Sequence, residues 1–226
     1  MNKEFKIIDL THTLASDIPS WDEGCCFNTS ISLDYKDCKS PNLFRVQKIE
    51  AKAGCGTHID APAHCFEGGK TIDQLTLDNL VIDCVVIRPK QEVGENYLIL
   101  PEEINKFENE YGKIEPGTFV IFDTGWGQYW NDPQKYRNDL KFPSIHPDTA
   151  QLLIERNVSG IGIDTLSPDA IGEDFPVHRR ILGAGKFIVE NIANAEELPE
   201  KGAKIIIAPI KIRGGTEAPV RLMALI

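Results

Sequence analysis

The chain has 226 residues, 42% of them hydrophobic and 26% charged, enough apolar material to bury a substantial core in one domain spanning residues 1–226, which excludes a disordered protein. A formal net charge of −10 with a pI near 5.0 opposes the counterion release that draws proteins onto nucleic acid or anionic lipid, so neither is expected as a partner. The opening MNKEFKIIDLTHTL carries no apolar run of signal-peptide length, and no later run is long enough to span a bilayer, so a cytoplasmic location is expected.

In chain order, β-branched stretches bounded by turn residues predict strands at 6–10, 27–33, 43–51, 80–87, 118–122, 160–163, 186–189, 204–210 and 220–225. Apolar period and caps predict helices at 101–111, 147–156 and 177–182. Pro101 and Pro147 suit a first helical position, where the missing N–H costs nothing. Ala150, Leu153 and Ile154 then form one stripe that can lie on a sheet. Strands outnumber helices, so one crossover helix per strand is not expected. A mixed α/β fold of mostly β layers, with helices on one side, follows. Gly and Pro are dispersed and no period repeats, so no domain boundary is expected. The cysteines, at 25, 26, 38, 55, 65 and 84, form no Cys-x-x-Cys pair. Free thiols in a reducing compartment are expected.

The segment Gly54-Cys55-Gly56-Thr57-His58-Ile59-Asp60-Ala61-Pro62-Ala63-His64 gathers two imidazoles and a carboxylate among small residues. In an extended segment the two-residue side-chain period aims His58 and Asp60 at one face, where nitrogen and carboxylate oxygen can converge on a cation. Pro62 then turns the chain, and His64 can hang over the site without ligating. Taken alone, the run is equally an ordinary turn with Asp60 bonded to its own backbone. Glu190 interrupts the apolar run Phe187-Ile188-Val189-Glu190-Asn191-Ile192, and a buried unpaired carboxylate is costly. A cation would satisfy it, and so would an arginine. His146, before Pro147-Asp148, reads as a helix cap, and His12 as structural. Trp21, Phe66 and Trp126 are candidates for an aromatic substrate pocket, with core packing the alternative.

Gly-Thr-His-x-Asp-x-Pro-x-His at residues 56–64 resembles the signature of the cyclase family of metal-dependent hydrolases, which includes bacterial kynurenine formamidases and isatin hydrolases. Other segments are similar to the family's in the same order: Asp9-Leu10-Thr11-His12, Thr124-Gly125-Trp126, Asp164-Thr165-Leu166-Ser167-Pro168-Asp169, Phe175-Pro176-Val177-His178, Phe187-Ile188-Val189-Glu190-Asn191 and Ala218-Pro219-Val220-Arg221. The resemblance implies a three-layer β/β/α, swivelling-domain-like fold and a homodimer or homotetramer. It also implies His58, Asp60, His178 and Glu190 as metal ligands and His64 as the catalytic imidazole. One position departs: the family reads His-x-Gly-Thr-His, and Gly54 stands where the first histidine would be. Two protein ligands hold an ion weakly, so one tight ion per chain is expected, with a second absent, weak, or rescued by Cys25, Cys26 or His12.

Nitrogen and oxygen donors favour Zn²⁺ or Mn²⁺, zinc first. No Gly-x-Ser-x-Gly elbow or phosphate-binding loop is present, so serine nucleophiles and phosphoryl transfer find no support. The expected activity is metal-dependent cleavage of a C–N bond in a small molecule, an arylformamide such as N-formylkynurenine. Opening of a cyclic amide or imide is the alternative, and a degenerate site that only binds a small molecule or metal is a third reading.

Overall fold

Chain order in the computed structural model, which describes residues 5–39, 41–172 and 174–226, begins with strands β1 (Ile7–Asp9), β2 (Phe27–Leu33), β3 (Val46–Ala51), β4 (His58–Asp60), β5 (Val81–Ile87) and β6 (Leu98–Ile99). Helix α1 (Pro101–Tyr111), β7 (Phe119–Phe122), α2 (Pro133–Arg137), β8 (Ser144–Ile145), α3 (Pro147–Glu155) and β9 (Gly160–Ile163) follow. The chain closes with α4 (Pro176–Gly183), β10 (Phe187–Glu190), β11 (Lys201–Pro209) and β12 (Glu217–Leu225).

The main sheet runs β12–β11–β5–β7–β9–β10–β4, and β4 pairs back onto β12, so seven strands close on themselves like a barrel. β1 pairs with the far end of β12. β5, β7, β9 and β10 are parallel neighbours, while the closing pairs are antiparallel. Strand side chains alternate between two cores. Phe119 and Ile121 of β7 join Ile59, Val189 and Ala218 inside the closed sheet. Val120 and Phe122 face outward, against Ile104 and Phe107 of α1, Leu153 of α3, and Val177 and Ile181 of α4. The interior is crowded: Phe119 and Phe187 stack with ring centroids 5.6 Å apart. β9 therefore turns glycines inward, since a Cβ on Gly160 would lie 2.4 Å from the carbonyl oxygen of Phe187.

The mixed, strand-rich α/β fold with few helices on one side agrees with expectation. The three-layer, swivelling-domain-like arrangement is not shown: seven strands form one closing surface, with β2–β3 and β6–β8 as separate two-stranded sheets. β12 starts at Glu217, before the expected 220, because its first residues pair with β4 in addition to the pairing with β11. The cysteine expectation needs correcting as well. Cys26 and Cys55 form a disulfide with Cα atoms 5.7 Å apart, tying the β2 arm to the loop before β4. Cys25, Cys38, Cys65 and Cys84 are free. Among the described residues, no helix is long and apolar enough to cross a membrane.

Candidate metal centre

β4 lies between β10 and β12, and its register sets His58 opposite Glu190 and Asp60 opposite Glu217. Opposed residues of an antiparallel pair share a face, so these four side chains project together while Ile59 between them enters the core. The loop before β4 is braced from the other side of the seam. Thr57 Oγ1 donates to Asn191 O at 2.6 Å, Asn191 Nδ2 donates to Gly56 O at 2.9 Å, and His12 N donates to Thr57 Oγ1 at 3.0 Å. Gly56, at φ +64°, makes the turn; a Cβ there would also meet Leu14 at 2.5 Å.

Each buried imidazole has one nitrogen anchored and the other aimed at the carboxylates. His58 Nδ1 lies 2.8 Å from Gly56 O, leaving Nε2 at 3.5 Å from Asp60 Oδ1 and 3.3 Å from Glu190 Oε2. His178 enters from α4, whose N-terminus is capped by Asp169. That carboxylate accepts from Val177 N at 2.7 Å and from His178 N at 3.0 Å, and it holds His178 Nδ1 at 2.7 Å. His178 Nε2 then lies 3.5 Å from Asp60 Oδ2 and 3.2 Å from Glu190 Oε1. Fixing one ring nitrogen on a carboxylate or carbonyl while presenting the other is how metal-binding histidines are oriented.

Both Asp60 oxygens and Glu190 Oε1 are buried without a hydrogen bond. Asp60 is 1% exposed and Glu190 5%, so leaving them unpaired would be costly. Among the described residues two donor groups meet the spacing for a cation, Asp60 with His178 and Glu190, and His58 with Asp60 and Glu217; within each, the ligand atoms lie within 4.8 Å of one another. The donors fit a divalent ion. The charges agree. Burial works against a proton on His58, yet Asp60 and Glu190 hold its pKa up at about 9. Burial likewise opposes the charge on His178, while Asp169, Asp60 and Glu190 raise it well above the ordinary value. Desolvation would push Glu190 up, but His178 and His58 keep its carboxyl low. The pocket favours positive charge, and a metal ion competes there with protons.

His64 stands apart from these ligands, in the 3-10 turn Pro62–His64 after β4. Its Nδ1 lies 3.2 Å from Glu217 Oε2, and that hydrogen bond raises its pKa against partial burial. The cluster floors a cavity of about 770 Å³ whose walls include Trp21, Phe66, Phe175 and Arg179. Trp21 and Phe66 line this cavity. Trp126 does not: it packs on Tyr129 and donates its indole N–H to Tyr136 O at 2.9 Å, so its place is in the core. His146 caps α3, its Nδ1 accepting from Asp148 N. His12 stacks on Trp130 beside a different cavity, and burial lowers its pKa to about 4. Neither His12 nor the disulfide-bonded Cys26 reaches the cluster. Asp169, Phe175 and Glu217 escaped the sequence reading. The first two lie in the family-like segments 164–169 and 175–178 without any local mark of a role, whereas Glu217 beside Ala218-Pro219-Val220 posed the same question of a carboxylate in an apolar strand that Glu190 did.

Residues 8–170 match the model of the family described as "Putative cyclase". Kynurenine formamidase from Salinibacter ruber is 32% identical over 168 residues, 74% of this chain and 73% of that protein. The solved structure of isatin hydrolase A from Ralstonia solanacearum superposes with a TM-score of 0.89 at 29% identity, covering 98% of this chain and 92% of that one. A structure described as a potential metal-dependent hydrolase with cyclase activity gives a TM-score of 0.78 at 25% identity, covering 98% of both chains. The chain belongs to the cyclase family.

Proposed function

We propose that the protein is a metal-dependent hydrolase that cleaves a C–N bond in a small aromatic amide, with an arylformamide such as N-formylkynurenine as the first candidate substrate. The observation that carries this reading is the set of buried oxygens of Asp60 and Glu190 that accept no hydrogen bond and face the Nε2 atoms of two anchored imidazoles, on the floor of a cavity with aromatic walls. His58, Asp60, His178 and Glu190 would hold Zn²⁺ or Mn²⁺. Such an ion supplies a water that ionises near neutral pH and a polarised substrate carbonyl.

The chain's own groups do the rest. Trp21, Phe66 and Phe175 receive the aromatic ring and keep water from its faces. His64 accepts the proton of the attacking water and returns it to the departing nitrogen as the C–N bond breaks, giving a carboxylate and an amine. An imidazole suits both halves because its pKa lies near working pH, and Glu217 at Nδ1 keeps its second nitrogen free for the transfer.

Opening of a cyclic amide is the second reading, favoured by the TM-score of 0.89 with an isatin hydrolase. The test is turnover of an N-formyl arylamine against isatin, by protein stripped of metal and reloaded with Zn²⁺ or Mn²⁺, alongside elemental analysis of the purified protein. Metal-dependent turnover of the formamide is expected. Preferential turnover of isatin selects the second reading. A metal-free protein whose turnover resists chelators would overturn both, and bound metal with no turnover of either class would leave a binding protein.

A further inference from the structure

A Cβ built on Gly54 would lie 2.3 Å from Glu217 Oε1 and 3.3 Å from His58 Nε2. The carboxylate of Glu217 therefore fills the space that a side chain at position 54 would enter. Gly54 is not among the residues with positive φ, so its backbone does not demand glycine; what distinguishes the position is that the carboxylate end of Glu217 lies in the space beside it. Glu217 is the register partner of Asp60 across the β4–β12 seam. Its oxygen, an Asp60 oxygen and a His58 nitrogen lie within 4.8 Å of one another. Asp60, 1% exposed and with both oxygens unpartnered, points into this space.

We propose that Glu217 takes the place of the side chain Gly54 lacks and completes a second divalent-cation position with His58 and Asp60, next to the one formed by Asp60, His178 and Glu190. This rests on the reading of the centre as a metal site. Three protein donors plus water make a full coordination shell, where His58 and Asp60 alone would hold an ion weakly. The donor set, one imidazole and two carboxylates, is richer in oxygen than one with two imidazoles and shifts preference toward Mn²⁺ relative to Zn²⁺. Because Glu217 Oε2 also contacts His64 Nδ1 at 3.2 Å, the same carboxylate ties the second ion to the proton carrier. On this proposal the chain binds two ions tightly.

The test is metal stoichiometry. Stripped protein titrated with Mn²⁺ in a calorimeter and checked by elemental analysis after desalting should take up two equivalents, and Glu217→Gln, of nearly the same shape, should keep one. Electron paramagnetic resonance of the Mn²⁺ form should change from a coupled pair to an isolated ion in that variant. Gly54→His combined with Glu217→Ala should restore two equivalents, whereas Gly54→His alone drives the new ring against Glu217 and should not improve binding. Two equivalents in Glu217→Gln, or one in the unaltered protein, would overturn the proposal while leaving the metal centre intact. No uptake by any form would instead defeat the reading of a metal centre. Circular dichroism of each variant separates ligand loss from misfolding, and the double variant gives an answer even if Glu217→Gln is unstable.

Discussion

Asp169 Oδ2 and His178 Nδ1 lie 2.7 Å apart, and the same carboxylate caps the first turn of α4. One residue thus sets both where the helix starts and which way its imidazole faces. Asp169→Asn keeps a cap acceptor but exchanges a charged partner of His178 for a neutral one. Metal affinity, measured by competition with a chromogenic chelator, should fall by about 10–100-fold with little loss of melting temperature. Unchanged affinity would show that the ring is oriented by packing alone.

His64 has its Nδ1 on Glu217 and stands outside both groups of candidate ligands. His64→Ala should lower turnover by about 10²–10⁴-fold, the usual worth of a general acid–base group. Metal content should stay near that of the unaltered protein. A variant that loses its metal would make His64 a ligand.

Away from the site, Glu108 of α1 receives Arg156 in a two-pronged contact at 2.7 and 3.0 Å, and Lys113 beside it. Arg156 foremost, with help from Lys113 and against desolvation, brings its pKa from 4.5 to about 2. A carboxyl depressed on folding stabilises the protein above its unfolded pKa, and that contribution drains away as pH falls through the folded value. Between about pH 4.5 and 2 this contribution should be lost. Glu108→Gln should cost roughly 2 kcal/mol at neutral pH and flatten the acid limb of a denaturation series. An acid limb identical in both proteins would refute the assignment.

Gly160→Ala tests the crowding inside the closed sheet. The new methyl would sit 2.4 Å from Phe187 O and 2.9 Å from its ring, so β9 and β10 must part or the ring must move. A loss of about 1–3 kcal/mol in chemical denaturation is expected. A neutral result would mean that the Phe119–Phe187 stack yields easily.

The strands and helices with strong periodicity were legible because their signals are local: helix 101–111 coincides with α1, and strand 160–163 with β9. His58 and Asp60 were legible for the same reason, being two residues apart on one strand. What stayed hidden depends on distant pairing. Glu217 meets Asp60 only because the last strand closes on β4, and nothing local in either segment announces the other. Cys26 and Cys55 likewise come together through the fold, without a spacing motif. Trp126 could be read as a pocket wall or as core until the neighbours of its ring were known, since aromatic residues serve both.

β4 has three residues, and it is the piece that joins β10 to β12. Around that short joint three carboxylates, Asp60, Glu190 and Glu217, crowd together, and any proton lost from His58 or His178 exposes their mutual repulsion at the place where the sheet closes. A cation held there works as a clasp: it cancels the repulsion and links folding free energy to ion concentration, with a gain that grows by about 1.4 kcal/mol for each tenfold excess over its dissociation constant. Amide hydrogens of residues 58–60 should therefore exchange with solvent through local opening in stripped protein and become protected as metal is added, while those of β7 and β9 hardly respond.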